Sequence, residues 1–375
     1  MQEEGKSYLE ARKERSGTDD FRINMANVTY LIGAGASAGK RGDNGYIIEG
    51  LPCVNEISKC LWNIYSFIDR TTIPNDLEWM DPQIGLASVE NWEKARKNLS
   101  QRLHRLYIFC EQNATIDTYA KKLVLKKRQE NFKELEQLLA LFFIYLQLQN
   151  FPDTRYDTFL ANILEPNLHF PQNIRVISWN YDSQFEIAYS EYDEQGELMV
   201  GYKNAKYDID YEIIKINGTA TFDNQTSIAK LRKDIWKKIW AIKEEPNRSE
   251  QLQREQTWVL EFVYLYQLHV VGKKDNTHLS FAFDSSEPSK KILNRVDKII
   301  SQTDALVIIG YTFPFFNREI DRKILQNLKV DAKIYIQDKY PQRIKQNFKA
   351  VKAEIPDEQI ELKDDTDQFF LPPEL

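Results

Sequence analysis

Residues 28–39 read Val-Thr-Tyr-Leu-Ile-Gly-Ala-Gly-Ala-Ser-Ala-Gly, and this stretch decides the fold class. The β-branched and apolar run before Gly33 predicts a buried strand that enters a glycine loop. Gly33, Gly35 and Ala38 fit the G-x-G-x-x-A pattern of dinucleotide-binding loops, in which small residues let backbone N–H groups approach a pyrophosphate. The alternative is a tight turn that needs glycine for its conformation only. The acidic residue that usually follows such a loop, about 20 positions on at a second strand end, is not evident.

Further apolar runs predict strands, and helical patterns separate them. These runs are residues 174–178, 211–216, 305–309 and 332–336. Strands that alternate with helices and are buried on both faces are typical of a parallel, doubly wound sheet. We therefore predict an α/β protein with a Rossmann-like parallel sheet and helical insertions.

The rest of the chain is organised around this sheet. Residues 1–24 are polar and predict a surface arm, whereas residues 25–375 form the predicted nucleotide-binding domain. Within that domain, the spacing of apolar residues predicts a helical insertion over residues 55–150 and a smaller helical module over residues 223–270. A length of 375 residues would also suit two or three separate domains, but the motifs favour one sheet threaded through the chain.

Composition argues against several classes of protein. The three cysteines form no C-x-x-C pair, which disfavours a disulfide framework or a cysteine-based zinc site, so we expect a cytoplasmic protein without a bound metal. A net charge of −6 favours neither nucleic acid nor an anionic membrane as a partner, and no apolar stretch is long enough to cross a bilayer. The lysines of residues 121–127 and 230–243 suit a nucleic-acid surface, but such runs on helices are usually a solvated face.

Ligands of open parallel sheets lie beyond the carboxyl ends of the strands, so the residues there matter most. Asn180 and Asp182 follow the second predicted strand. The amide of Asn180 can orient water or sugar hydroxyls, and the carboxylate of Asp182 beside it can stabilise positive charge. An Asx turn that caps the next helix explains this pair equally well. Asn217-Gly218 is also a strong β-hairpin signal, and the loop at Gly310 is compatible with a structural turn.

Together, the strand-end loops resemble those of the sirtuin-like family of NAD-consuming enzymes in order and spacing. That family has a G-A-G-x-S loop, a G-[IL]-P turn, a T-x-N-x-D loop, an H-G dipeptide and a G-[TY]-S loop. The corresponding stretches here are residues 33–37, 50–52, 178–182, 217–218 and 310–312, followed by the strand that ends at Gln337. The resemblance covers the sheet-forming half of the chain. Within that family, the chain looks more similar to the bacterial sirtuin-like NAD hydrolases of antiphage defence, which carry extra helices instead of a zinc module.

This resemblance implies that the protein cleaves the bond between nicotinamide and ribose in NAD, with water replacing nicotinamide. Asn180 would place the ribose and the attacking water, and Asp182 would bind the carboxamide. The residues that would hold the pyrophosphate are Gly33, Ala34, Gly35 and Ser37, and those that would line the adenosine end are Gly310, Tyr311 and Gln337. The resemblance also implies NAD depletion in defence, a homo-oligomer, and a partner such as a HerA-type ATPase or a short Argonaute.

Departures from the family pattern keep other functions open. Asn217 occupies the place of the family's catalytic histidine, and an amide cannot act as a general base. Trp179 replaces a polar residue, and residues 53–55 replace an acidic-aromatic-arginine run. Other polar residues have simpler explanations as surface, structural or helix-capping groups; they are His104, His169, His269, His278, Asp117 and Asp157. The alternative functions are a sensor that binds NAD or ADP-ribose without cleaving it, and an assembly scaffold.

Overall fold

The computed structural model describes residues 25–43, 45–113, 115–192, 200–202, 212–223, 225–241, 248–272 and 275–375. The predicted arm of residues 1–24 lies outside this part of the chain. The strands, numbered along the chain, are β1 (Val28–Ile32), β2 (Ile174–Ser178), β3 (Val200–Gly201), β4 (Ile213–Lys215), β5 (Gly218–Phe222), β6 (Thr277–Leu279), β7 (Ala305–Ile309), β8 (Lys333–Gln337) and β9 (Ile360–Lys363).

A parallel sheet with the strand order β3-β4-β2-β1-β7-β8-β9 forms the centre of the described structure. Strand β1 lies in its middle and is buried along its whole length, with Val28 opposite Ile174 of β2 on one side and Ala305 of β7 on the other. The chain leaves β1 toward β2 and later returns to β7 on the opposite side. The crevice between the loops after β1 and β7 is therefore the topological switch point of the sheet, where ligands of such folds bind.

The helices are α1 (Ile57–Arg70), α2 (Val89–Gln112), α3 (Ile116–Leu125), α4 (Gln129–Gln149), α5 (Thr154–Ile163), α6 (Gln184–Tyr189), α7 (Ile228–Trp240), α8 (Arg248–Leu265), α9 (Glu287–Gln302), α10 (Arg318–Leu325) and α11 (Pro341–Val351). A π-helical turn, Tyr266–Gly272, continues α8.

Helices cover both faces of the sheet because successive strand side chains point to opposite sides. Tyr30 of β1 belongs to a core formed with α5 and α6, whereas its neighbour Leu31 belongs to a second core formed with α9, α10 and α11. The predicted doubly wound, Rossmann-like α/β fold is thereby confirmed.

A third core lies outside the sheet. It unites α1, α2, α3, α4, α7 and α8 with the two-stranded β5–β6 ladder, so the helices of residues 55–150 and those of residues 228–265 pack together. Helix α4 is its centre, since residues 138–146 of that helix are all buried. Among the described helices, none combines the length and apolar character that crossing a membrane requires.

The hairpin alternative for Asn217-Gly218 is wrong. Strand β4, which precedes it, is parallel to β2 and β3, and β5, which follows it, pairs antiparallel with β6. Gly218 has φ +71°, and a Cβ atom there would lie 1.9 Å from His278 O. The glycine is needed because the chain leaves the main sheet here and passes against the β6 backbone, which places Asn217 at the carboxyl end of β4.

Candidate functional site

The loop after β1 packs directly against the loop after β7. Gly33 N donates a hydrogen bond to Ile309 O at 3.0 Å, and Gly35 N donates one to Gly310 O at 3.0 Å. A Cβ atom on Gly310 would lie 2.4 Å from Ala36 N, so the two backbones leave no room for a side chain. Close backbone contact at the switch point thus explains the glycines of both loops. Ala34 and Gly35, in the loop after β1, are partly exposed.

Gly310→Ala is expected to lower the free energy of unfolding by about 3 kcal/mol, because the new Cβ adds overlap with the β1 loop to the strain of φ +59°. Gly45→Ala is the matched control: Gly45 has φ +68°, but its Cβ would meet only Lys59 Nζ, at 3.8 Å, so we expect a loss of about 1 kcal/mol. Urea unfolding of both variants measures the difference. Equal losses would show that the two loops do not constrain each other.

An ion pair that the sequence patterns did not predict anchors the glycine loop that follows β1. Asp153 and Arg155 pair at 2.6 Å, and the Asp153 carboxylate accepts a hydrogen bond from Gly39 N at 2.7 Å. Arg155 Nη2 donates to Gly35 O at 2.9 Å, and its Nη1 donates to Thr366 O at 3.1 Å. The pair therefore ties the loop to the start of α5 and to the C-terminal segment; its signal in the sequence was only a D-x-R triplet before a helix.

Asn180 joins two strand ends. Its Nδ2 group donates to Gly33 O at 2.9 Å and to Ser37 Oγ at 3.0 Å, and its side chain is buried. The Ser37 hydroxyl also lies 2.8 Å from the Tyr156 hydroxyl. The amide is thus fixed between the predicted pyrophosphate loop and the loop after β2, with its Oδ1 atom outside these bonds.

Asp182, in contrast, forms the Asx turn that was the competing explanation. Its Oδ1 atom accepts a hydrogen bond from Gln184 N at 3.1 Å. Burial raises the pKa of the Asp182 carboxyl, while the nearby charge of Lys215 opposes that rise. Lys215 is itself buried, donates to the Asp182 carbonyl oxygen, and pairs with Glu186 at 2.5 Å. Asp182 therefore belongs to a charge cluster with the buried Lys215 and the partly exposed Glu186. The sequence signalled this cluster only by a lysine inside an apolar strand.

Asn217 lies next to the loop after β2. Its Nδ2 group donates to Trp179 O at 3.1 Å, and its backbone carbonyl accepts from Ser280 N at 2.8 Å. The three candidate catalytic residues Asn180, Asp182 and Asn217 thus meet at the ends of β2 and β4. The amide of Asn217 supplies no titratable group there.

Tyr311 lies on the other side of the crevice and reaches the same loop. Its ring stacks on that of Trp179, with centroids 5.3 Å apart and planes 10° from parallel. The Tyr311 hydroxyl donates to Asp321 Oδ1 at 2.8 Å and accepts from Asn317 Nδ2 at 3.2 Å. Burial raises the pKa of the Asp321 carboxyl to about 7. The stacking and the two hydrogen bonds therefore hold the Tyr311 side chain in one position beside Gly33.

Gln337 ends β8, but its side chain points to the C-terminal segment. Its Nε2 group donates to the carbonyls of Asp365 and Gln368, both at 2.7 Å, and its Oε1 atom accepts from Phe370 N at 3.0 Å. Of the residues expected at the adenosine end, Gly310 and Tyr311 thus border the crevice, whereas the Gln337 amide is used to anchor residues 365–370.

Two further acidic residues, Asp117 and Asp157, have hydrogen-bond partners on neighbouring segments. Thr115, not Asp117, caps α3, and the Asp117 carboxyl instead shares a hydrogen bond with Tyr181, in the loop after β2. Burial raises the pKa of Asp117. Asp157 accepts a hydrogen bond from the Tyr192 hydroxyl at 2.8 Å, and Asp153 caps its helix. Asp117 therefore adds a carboxyl from the helical core beside the loop that carries Asn180.

The histidines have structural partners. His269 Nδ1 lies 2.7 Å from Asp275, and its ring stacks on Phe222 at 4.8 Å. Both ring nitrogens of His278 are engaged, Nε2 with Asp223 at 2.8 Å and Nδ1 with the Thr221 hydroxyl at 3.1 Å. The other two are His104, stacked on Tyr65 in the helical core, and His169, which precedes β2.

One cleft of the described structure lies away from the strand ends, between two helices outside the sheet. It measures about 580 Å³ and is lined by residues of α7 and α8 together with Trp79. Lys238 in this cleft pairs with Glu261 and lies 5.0 Å from the centre of the Trp79 ring, so its charge is already satisfied. Across the described ranges, no group of three His, Cys, Asp or Glu side chains is placed to hold a metal ion.

Neither a protein-family profile nor a curated protein matches this chain. The geometry of the strand ends therefore carries the functional argument.

Proposed function

We propose that this protein is an NAD hydrolase that acts at the carboxyl ends of β1, β2, β4 and β7. The observation that carries the proposal is the position of Asn180, whose amide binds both Gly33 O and Ser37 Oγ. It joins the loop expected to hold the pyrophosphate to the loop expected to hold the ribose. Positioning groups contribute most to rate when their own partners fix them, and Asn180 meets that condition.

In the proposed reaction, the bond between C1′ of the ribose and the nicotinamide nitrogen breaks, and its electron pair returns to the pyridine ring. Water forms the new bond at C1′ and releases one proton to solvent, which gives ADP-ribose and neutral nicotinamide. An oxocarbenium-like centre is electrophilic enough to need little activation of water. A general base contributes about 10²–10⁴ in rate, so the amide at Asn217 predicts slow turnover rather than none.

The biological setting that we propose is antiphage defence by NAD depletion. The support is the resemblance of the ordered loops to those of the bacterial defence hydrolases. The same resemblance favours a homo-oligomer and a partner of the HerA-type ATPase or short Argonaute class, and the helices outside the sheet offer surface for such contacts.

A sensor that binds NAD or ADP-ribose without cleaving it is the second candidate. The observation that favours it is again Asn217, because its amide donates to Trp179 O and no titratable side chain takes the place of the expected histidine.

Asn217→His is expected to raise the rate of NAD consumption by about tenfold or more, because an imidazole there supplies the missing base. Chromatography of NAD, nicotinamide and ADP-ribose measures it, and an unfolding curve establishes that the variant is folded. If both the wild type and the folded variant bind NAD and leave it intact, the sensor is the correct function.

A further inference from the structure

Three aromatic rings lie in contact with one another on the surface of the helices outside the sheet. The ring centres of Phe151 and Trp236 are 5.5 Å apart, and those of Trp236 and Trp240 are 5.4 Å apart. Phe151 is 51% exposed and Trp240 is 64% exposed. Single exposed apolar side chains are ordinary, but a contiguous exposed patch marks a site of interaction.

The helical core holds this patch in place. Trp236 Nε1 donates a hydrogen bond to Leu148 O at 2.8 Å, at the end of α4. The buried Arg232 donates to Asn150 O at 2.7 Å, and its guanidinium carbon lies 5.1 Å from the centre of the Phe151 ring and 5.3 Å from that of Trp236. Rings that are already fixed lose little entropy when a partner stacks on them.

Lysines lie beside the rings on the same helix. Helix α7 carries five basic residues and one acidic residue, so its charge is opposite in sign to the net charge of −6 of the whole chain. Since each residue advances about 100° around a helix, the positions of Trp236, Trp240, Lys233 and Lys237 fall within an arc of about 100°. Both lysines are exposed. In a merely solvated lysine face, the apolar side chains turn toward the core, and Trp240 does not.

Single-stranded nucleic acid has the two features that suit such a face. Its bases present aromatic surfaces that stack on protein rings, and its phosphates form a row of anions that lysines neutralise. A duplex keeps its base surfaces inside the stack. An acidic peptide supplies the anions without a row of bases, so it would leave the exposed rings unused.

We propose that the aromatic-basic face of α7, formed by Phe151, Trp236, Trp240, Lys233 and Lys237, binds single-stranded nucleic acid. This inference goes beyond the proposed NAD hydrolase function and does not depend on it, because the face belongs to the helical core outside the sheet.

The first test measures stacking. Fluorescence anisotropy of a labelled oligothymidine of about 12 nucleotides, titrated with the full chain at low salt, gives the affinity. Trp240→Ala is expected to weaken binding at least about fivefold, because one base loses the ring on which it stacks. Trp62→Ala is the matched control, since Trp62 is 45% exposed on α1, and it should leave binding unchanged.

The second test measures the phosphate contacts through their dependence on salt. Lys237→Gln is expected to reduce the slope of log affinity against log salt concentration by about 0.7, the contribution of one phosphate contact on a single strand. Trp240→Ala should leave this slope unchanged, because stacking releases no counterion. Lys298→Gln, at an exposed position of α9, is the control and should change neither affinity nor slope.

Other occupants of the face would give different results. Oligothymidine that does not bind at micromolar concentration in low salt, or that binds the wild type and Trp240→Ala equally, would overturn the inference. A duplex of the same length that binds as tightly as the single strand would overturn it too, as would polyglutamate that binds as tightly and displaces the oligothymidine. Trp240 and Lys237 are exposed, so unfolding curves of their variants should match that of the wild type.

Discussion

Asn180→Ala is expected to reduce the rate of NAD hydrolysis by at least about 100-fold. The alanine removes both hydrogen bonds that join the loop after β2 to Gly33 O and Ser37 Oγ. It also removes the amide oxygen that we expect to place the ribose and the water. Displacing a reacting group by about 1 Å is enough to cost 100-fold in rate, so the loss of the bridge and of the positioning group has a large effect.

A matched control separates this role from a general effect on the fold. Asn162 is exposed on α5, and its amide bonds only within that helix, to Thr158 O at 2.7 Å. Asn162→Ala is expected to keep wild-type activity in the same assay of nicotinamide release. Activity of a folded Asn180→Ala variant within a few-fold of the wild type would contradict the assignment of Asn180.

Lys215→Met is expected to lower the free energy of unfolding by about 3–5 kcal/mol. Lys215 is buried, pairs with Glu186 at 2.5 Å, and donates to the Asp182 carbonyl oxygen. Its removal leaves the buried Asp182 carboxyl and the partly exposed Glu186 carboxyl without their cation. Breaking a buried ion pair from one side costs that much because the remaining charge has lost its water and its partner.

The loss should depend on pH in a defined direction. Burial raises the pKa of Asp182 in the folded protein above its unfolded value, so protons bind more tightly to the folded state. The stability that comes from this group is present below the unfolded pKa and is lost as the pH rises through the folded pKa. Without Lys215 the folded pKa rises further, so the deficit of Lys215→Met should be larger at pH 8 than at pH 5.

Urea unfolding at the two pH values checks both statements. Lys290→Met is the control, since Lys290 pairs with Glu287 at 2.5 Å on the surface, where both side chains are more than half exposed. That variant should be destabilised far less than Lys215→Met at either pH, because water already screens this exposed pair. A loss of similar size for Lys215→Met would show that the buried cluster does not stabilise the fold.

The fold was predictable because it depends on patterns that are local in the sequence. The apolar runs of β1 and β7 end at glycine loops, and a strand that is buried on both faces leaves few alternatives to a parallel sheet. The same local logic gave a wrong alternative at Asn217-Gly218. Turn propensity favours a hairpin there. In the structure, however, β4 is buried between β2 and β3 and pairs with both of them instead of with β5.

The candidate site was predictable only in part, because its details depend on contacts between distant residues. Asn180 and Asp182 looked alike in the sequence, yet one bridges to residues almost 150 positions away and the other binds the backbone two residues on. Gln337 shared the strand-end pattern, but its amide is used by residues 365–370. The Asp153–Arg155 pair gave only a weak signal, a D-x-R triplet before a helix, since its importance comes from the loop that folds against it.

Incubation of the wild-type protein with NAD in ¹⁸O-labelled water, with enzyme in excess over NAD, tests the central claim most directly. Mass spectrometry of the products is expected to show nicotinamide and ADP-ribose in equal amounts, with one ¹⁸O atom on each ADP-ribose, and formation of both at least about 100-fold slower with Asn180→Ala. Intact NAD after long incubation, with no binding of NAD to the folded protein, would contradict the account.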